Sequence, residues 1–261
     1  MYVRNEESYL PRCIEYLSTQ GVKVVVLDNE STDATADICR SYAPELVIRY
    51  QVHPFQGAFD LTSITQMLEA MQKTIEADWF VLNSPDEVLQ SDRPGERMAD
   101  ALRRFESQGY NVINFEEFVF MPENESVSYI GKDYLQEMRH YYYFAPFQLR
   151  SMRAWKNPPG FHNPEGHRVE GPGIQLYPDS FIHRQYITLS REHFRRKYEK
   201  RIFSPVDIAK GWHRRRINID FDKSMFPPAR QLKLLPNGEP AGEFDRSDPW
   251  ADHFWCLGQS E

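Results

Sequence analysis

Two hydrophobic periods alternate along the first third of the chain. Val22–Leu27 (VKVVVL) is a short, mostly apolar and β-branched run, the pattern of a strand buried on both faces of a parallel sheet. Helical patterns flank it. Ser8–Gln20 places Leu10, Ile14 and Leu17 at helical spacing, and Thr32–Ser41 opens with residues that satisfy the free N–H groups of a first turn. Leu46–Gln51 predicts a second such strand, Asp60–Glu76 a helix with Ile64, Met67, Leu68, Met71 and Ile75 on one face, and Trp79–Leu82 a third strand. Strand and helix in turn predict an α/β fold, a Rossmann-like and mostly parallel sheet flanked by helices and wound by right-handed crossovers.

Past residue 90 the periods become shorter and less regular. Asp92–Ser107 is helical after Pro94, and Asn111–Phe120 is a strand whose apolar run is broken by Asn114, Glu116 and Glu117. Residues 121–180, rich in Pro, Gly, Tyr and His, predict irregular loops with short strands at Gln148–Met152 and Ser180–Ile182. Leu189–Ile202 predicts a helix, and the chain from Phe226 onward, with PNGEPAG, has no clear period. The expected organisation is a single domain over 1–225 followed by a tail, 226–261. No internal repeat is visible.

Composition narrows the class. The 261 residues are 41% hydrophobic, 26% charged and 14% aromatic, which excludes a disordered chain, and 13 Gly exclude a collagen-like one. Three widely spaced cysteines, Cys13, Cys39 and Cys256, favour neither a disulfide framework nor a thiolate zinc site, and fit a reducing compartment. No apolar run reaches the roughly 18 residues of a membrane span, and the opening MYVRNEESYLPR lacks a secretory core. A net charge of −7 argues against general nucleic-acid binding. One stretch runs the other way: Arg184–Arg216 holds eleven basic residues against Glu192, Glu199 and Asp207. It is either a solvated helix face or a phosphate site.

In open α/β sheets ligands bind outside the carboxyl ends of the strands, so the loops that follow the strands carry the candidate chemistry. Three are polar: Arg4–Glu7, Asp28–Asp33, and Asn83–Glu87. Carboxylates there can accept from a base edge or ribose hydroxyls, or hold a hard divalent cation that bridges two phosphates. Asp28–Asp33 also suits a plain turn and helix cap. Asp86 and Glu87 are adjacent, so in an extended segment they face opposite sides and only one can serve a shared metal; Asp86 is the expected one.

These motifs carry a resemblance. VRNEESYLPRCIEYLSTQGVKVVVLDNESTDATADICRSY resembles the opening of family 2 glycosyltransferases of the GT-A fold, with N-E-E after the first strand and D-x-x-S-T-D after the second. ADWFVLNSPDEVLQ stands where that family places its D-x-D, often written D-A-D-E, and the likeness covers about residues 3–90. GHRVEG and IHRQYITLSREHFRRKYEKR resemble, less specifically, later segments of a bacterial branch. The resemblance implies a nucleotide-sugar half over 1–120 and an irregular acceptor half over 121–225. It implies that Asn5, Glu7, Asp28 and Asp33 line the base and ribose, that Asp86 coordinates Mn²⁺ or Mg²⁺, and that His183 is the distal metal ligand. Lys197 and Arg201, one helical turn apart, are expected at the diphosphate. Ser84 replaces the first carboxylate of the D-x-D, which weakens the ribose or metal contact of that position and opens the way to a metal-independent or inactive protein.

The activity implied is inverting transfer of a sugar from a nucleotide-diphosphate donor to a glycan, lipid-linked or small-molecule hydroxyl acceptor, as in polysaccharide biosynthesis. Glu165, Glu170 and Glu116 are the candidate catalytic bases, and nothing in the sequence chooses among them. The aromatics of Tyr129–Phe147 serve either as core or as a sugar-stacking wall. Two rivals remain: a non-catalytic nucleotide-sugar-binding module on the same fold, which Ser84 favours, and a nucleotidyltransferase, which lacks its Gly-rich basic loop here. The expected location is cytoplasmic, extending to the inner membrane face.

Overall fold

The computed structural model describes residues 1–146, 151–236 and 244–256. The strands are β1 (Tyr2–Val3), β2 (Val24–Asp28), β3 (Val47–Val52), β4 (Trp79–Val81), β5 (Glu87–Gln90), β6 (Val112–Phe120), β7 (His140–Phe144), β8 (Ser151–Lys156), β9 (Leu176–Tyr186) and β10 (Lys233–Leu234). The helices are α1 (Leu10–Thr19), α2 (Thr35–Ser41), α3 (Leu61–Gln72), α4 (Met98–Ser107), α5 (Tyr134–Glu137), α6 (Arg191–Tyr198), α7 (Pro205–Ala209) and α8 (Arg214–Ile217). Two compact units result: Met1–Gln56 with Leu61–Glu116 and Arg150–His183, and Gly57–Asp60 with Glu117–Leu149 and Arg184–Glu261.

In the first unit the expected α/β pattern forms, with β1, β2 and β3 a parallel sheet in that order. β2 is central and buries Val24, Val26, Leu27 and Asp28, which is why its sequence is apolar almost throughout. α1 packs against it. Pro11 sits in its first turn, where the missing N–H costs nothing, and Leu10, Cys13, Ile14 and Leu17 are buried with Val3, Val24, Val26 and Val47. Each such side chain contributes about 1.5–3 kcal/mol. The helix stops at Gly21, whose φ of +73° suits glycine, and whose N–H bonds Ser18 O at 3.0 Å.

β4, expected beside the parallel strands, pairs instead antiparallel with β8, and β8 pairs antiparallel with Val112–Phe115 of β6. Local periodicity reports that a strand exists and not which partner it takes. Leu89, Met98, Ala101, Leu102, Phe105, Ile113, Phe115, Ala154 and Phe181 form the core over α4. Of the strand expected at Gln148–Met152, residues 148–150 lie outside the described residues; Ser151 and Met152 begin β8. The strand expected at Ser180–Ile182 is the middle of the longer β9.

In the second unit Glu117–Phe120 pairs antiparallel with β7, and β7 with β10. The helix expected over Leu189–Ile202 is confined to α6, so Lys197 and Arg201 do not share a helical turn. Ser190 caps it, accepting from His193 N at 3.1 Å. The region expected as a tail supplies Phe226, Phe254 and Trp255 to the core around Phe194 and Tyr142. Aperiodic aromatic anchors of this kind leave no period to detect. Residues 237–243, most of PNGEPAG, and Phe147 lie outside the described residues.

Candidate functional site

The loops after β1 and β2 are tied together side chain to backbone. Asn5 Oδ1 accepts from Thr32 N at 2.7 Å, and Asn5 N donates to Ser31 Oγ at 2.9 Å. Glu7 N donates to Asp33 Oδ2 at 3.1 Å, while Glu7 Oε2 accepts from Ala34 N at 3.1 Å and Asp33 Oδ1 from Thr35 N at 2.9 Å. Both carboxylates thus satisfy N–H groups at the start of α2, where negative charge is favoured. Three of the four residues expected at the base and ribose, Asn5, Glu7 and Asp33, are exposed or half-buried.

The fourth, Asp28, is 1% exposed. Its Oδ1 accepts from Ser31 N at 2.8 Å and Ser31 Oγ at 2.7 Å, and its Oδ2 from the Tyr50 hydroxyl at 2.5 Å. Burial first, and then the bond to Asp28, raise the Tyr50 hydroxyl pKa, so it stays a donor. Asn5 and Glu30 have φ of 55° and 57°, the left-handed region that glutamate rarely occupies. Arg4 holds Glu30 in place by donating to its carbonyl at 2.7 Å, and Glu30 Oε2 accepts from Phe55 N at 3.0 Å. The Arg4 guanidinium lies 3.5 Å from the Phe55 ring centroid. The loop after β3, His53–Phe55, thereby joins the first two, a contribution the sequence reading missed. Its signal is faint: a Pro and an aromatic directly after a strand.

The turn after β4 is a closed box. Ser84 N donates to Glu87 Oε2 at 2.7 Å, Glu87 N to Ser84 O at 3.1 Å, and Asn83 Nδ2 to Ser84 O at 2.6 Å. α1 touches it through Cys13, whose Sγ accepts from Asn83 Nδ2 at 3.4 Å. Burial pushes the Cys13 thiol up, so it stays protonated. Glu87, 5% exposed, meets Arg153 Nη2 at 3.1 Å and lies 3.6 Å from His183 Nε2. Asp86 is buried as well. So His183 is seated with Glu87, the other acid of the pair. Arg153, the cation in this cluster, was not foreseen; a lone Arg within the β8 sequence SMRAWK was the only hint. Among the described residues no three His, Cys, Asp or Glu side chains form a metal cage.

The candidate bases are dispersed. Glu116 is buried in β6, Glu165 is exposed at a turn, and Glu170 is exposed, with its carboxylate 3.5 Å from His162 Nε2. Lys197 and Arg201 belong to the second unit, where the Arg201 guanidinium lies 5.3 Å from the ring centroids of both Phe59 and Tyr198. Tyr141 and Tyr142 are fully buried core residues.

Residues 1–93 match the family model described as glycosyl transferase family 2. No curated protein matches the chain. Among solved structures, S. aureus TarS is similar over 76% of this chain and 37% of its own, at 13% identity and a TM-score of 0.44. S. aureus TarS 1–349 in complex with UDP is similar over 76% and 61%, at 14% identity and a TM-score of 0.43. The chain therefore spans 37% to 61% of the length of these structures, and the likeness is too remote to bear on fold or activity. The family match covers the segment that contains the two bonded loops and the Ser84–Glu87 box.

Proposed function

We propose that the chain transfers a sugar from a nucleotide-diphosphate sugar to a hydroxyl acceptor, with inversion. The observation that carries this reading is the coincidence of the family match over residues 1–93 with the bonded loops at the carboxyl ends of β1 and β2. That is where open α/β sheets take nucleotides. Asn5, Glu7 and Asp33 line the base and ribose, and Asp28 sets their geometry from beneath through Ser31.

In the transfer, an acceptor oxygen attacks the anomeric carbon from the face opposite the diphosphate. The bond to the leaving phosphate oxygen breaks, the acceptor proton passes to a carboxylate, and a single such displacement inverts the centre. Glu165 and Glu170, exposed, are better placed to take that proton than Glu116, which β6 buries.

A divalent cation that travels with a diphosphate keeps phosphate and water ligands and needs one or two protein carboxylates. Asp86, buried in the turn that follows β4, is the carboxylate proposed for that need. Mn²⁺ or Mg²⁺ held there would neutralise charge on the leaving diphosphate. His183, seated against Glu87, is not used as a ligand, and no donor contact is assigned to Lys197 or Arg201.

The test is release of nucleoside diphosphate from a panel of nucleotide sugars. Asp86→Ala should lower the rate roughly a hundredfold, and an unchanged rate would remove Asp86 from the account. Ser84 favours one other reading, a binding module without turnover. Tight nucleotide-sugar binding with no product from any donor would establish that reading instead.

A further inference from the structure

α7 is inside out. Its one charged residue, Asp207, is fully buried; its N–H donates to Ser204 Oγ at 3.2 Å and its Oδ2 lies 3.3 Å from His213 Nε2. Val206 and Ile208 of the same helix are 50% and 45% exposed, with Ile202 before it at 64% and Ile217 after it at 40%. A surface helix of a soluble protein does the reverse. The inversion is built in. His213, at a φ of 61°, stacks on Phe203 with ring centroids 4.4 Å apart, and this seats the imidazole that holds Asp207 inward.

Charge completes the surface. Asp207 is the only acidic residue between Lys200 and Ile217, and it is turned inside. Lys200, Lys210 and Arg214 are exposed, Arg215 is exposed but paired with Asp252 at 2.9 Å, and the Lys210 ammonium lies 4.4 Å from the ring centroid of the half-buried Trp212. This surface is therefore aliphatic and cationic on a protein whose net charge is −7. A second copy would set like charges against each other. Nucleic acid calls for exposed rings on which bases stack, and the exposed apolar side chains here are aliphatic. An anionic bilayer matches both components: branched aliphatic side chains enter the boundary between headgroups and acyl chains, and lysine and arginine are drawn to the negative surface.

We propose that residues 200–217 dock the protein on an anionic membrane surface. This stands apart from the sugar-transfer reading, since the surface contains none of the donor loops. The test is co-sedimentation of the whole protein with vesicles of phosphatidylcholine alone or mixed with phosphatidylglycerol, at low and high salt. Binding is expected only to the phosphatidylglycerol vesicles and should weaken as salt rises. Replacing Ile202, Val206 and Ile208 together by Ser, and separately making Lys200→Glu with Lys210→Glu, should each reduce binding about tenfold or more. These are exposed positions, so the melting temperature should hold, which separates lost docking from lost fold. Failure to sediment with phosphatidylglycerol vesicles, equal binding to both vesicle types, or undiminished binding of the triple Ser variant would each overturn the proposal. So would a concentration-dependent doubling of mass in solution that the triple Ser variant abolishes.

Discussion

Asp28 is the residue on which the donor loops depend most. It accepts three hydrogen bonds while almost wholly buried, so its removal strands the Tyr50 hydroxyl and frees the Ser31 turn. Asp28→Ala should cost about 3 kcal/mol and Tyr50→Phe about 1 kcal/mol, measured by denaturant unfolding. An Asp28→Ala protein as stable as the parent would show that the loops do not hang on this carboxylate. Glu87 and Arg153 make a second residue-scale test. Arg153→Met leaves a buried carboxylate that has lost its cation, at about 3–5 kcal/mol, whereas Glu87→Leu with Arg153→Met should recover most of that loss. A double variant as unstable as the single one would contradict the pairing. Asn5, Asp28 and Asp33 were legible in the sequence because their partners are near in the chain or follow a strand, whereas Arg153 reaches a partner 66 residues away.

At the scale of elements, apolar periodicity found β2, β3, α1 and α3, and first-turn residues found α2, whereas the two-residue β1 is too short to carry a period. Periodicity could not say that β4 would pair with β8, since pairing across 70 or so residues leaves no local trace. Nor could it see the C-terminal anchor. There His253 is stacked between Phe144 and Trp255, with ring centroids 4.0 and 4.4 Å away, and its Nδ1 lies 2.8 Å from the Tyr142 hydroxyl. Burial first, then Arg216 and Arg215, hold its pKa well below the ordinary value. The unfolded chain therefore takes up a proton near pH 6.5 that the folded one refuses, so stability is complete above about that pH and falls as the pH drops below it. Melting temperature followed from neutral to acid pH should decline accordingly, and His253→Phe should flatten the decline. An equal slope in the two proteins would place the pH dependence elsewhere.

The whole molecule is acidic, divides into two compact units, and carries the family match over residues 1–93, all of it in the first unit except Gly57–Asp60. The loops after β1 and β2 are proposed to bind a nucleotide diphosphate. The most direct measurement is thermal unfolding of the whole protein against UDP, GDP, CMP and dTDP, each with and without Mn²⁺, because a ligand that binds only the folded state raises its melting temperature. A rise is expected with one nucleoside diphosphate, larger with Mn²⁺ present, and lost in Asp28→Ala when each protein is compared with its own unliganded melt. No rise with any nucleotide, with or without the cation, would contradict it.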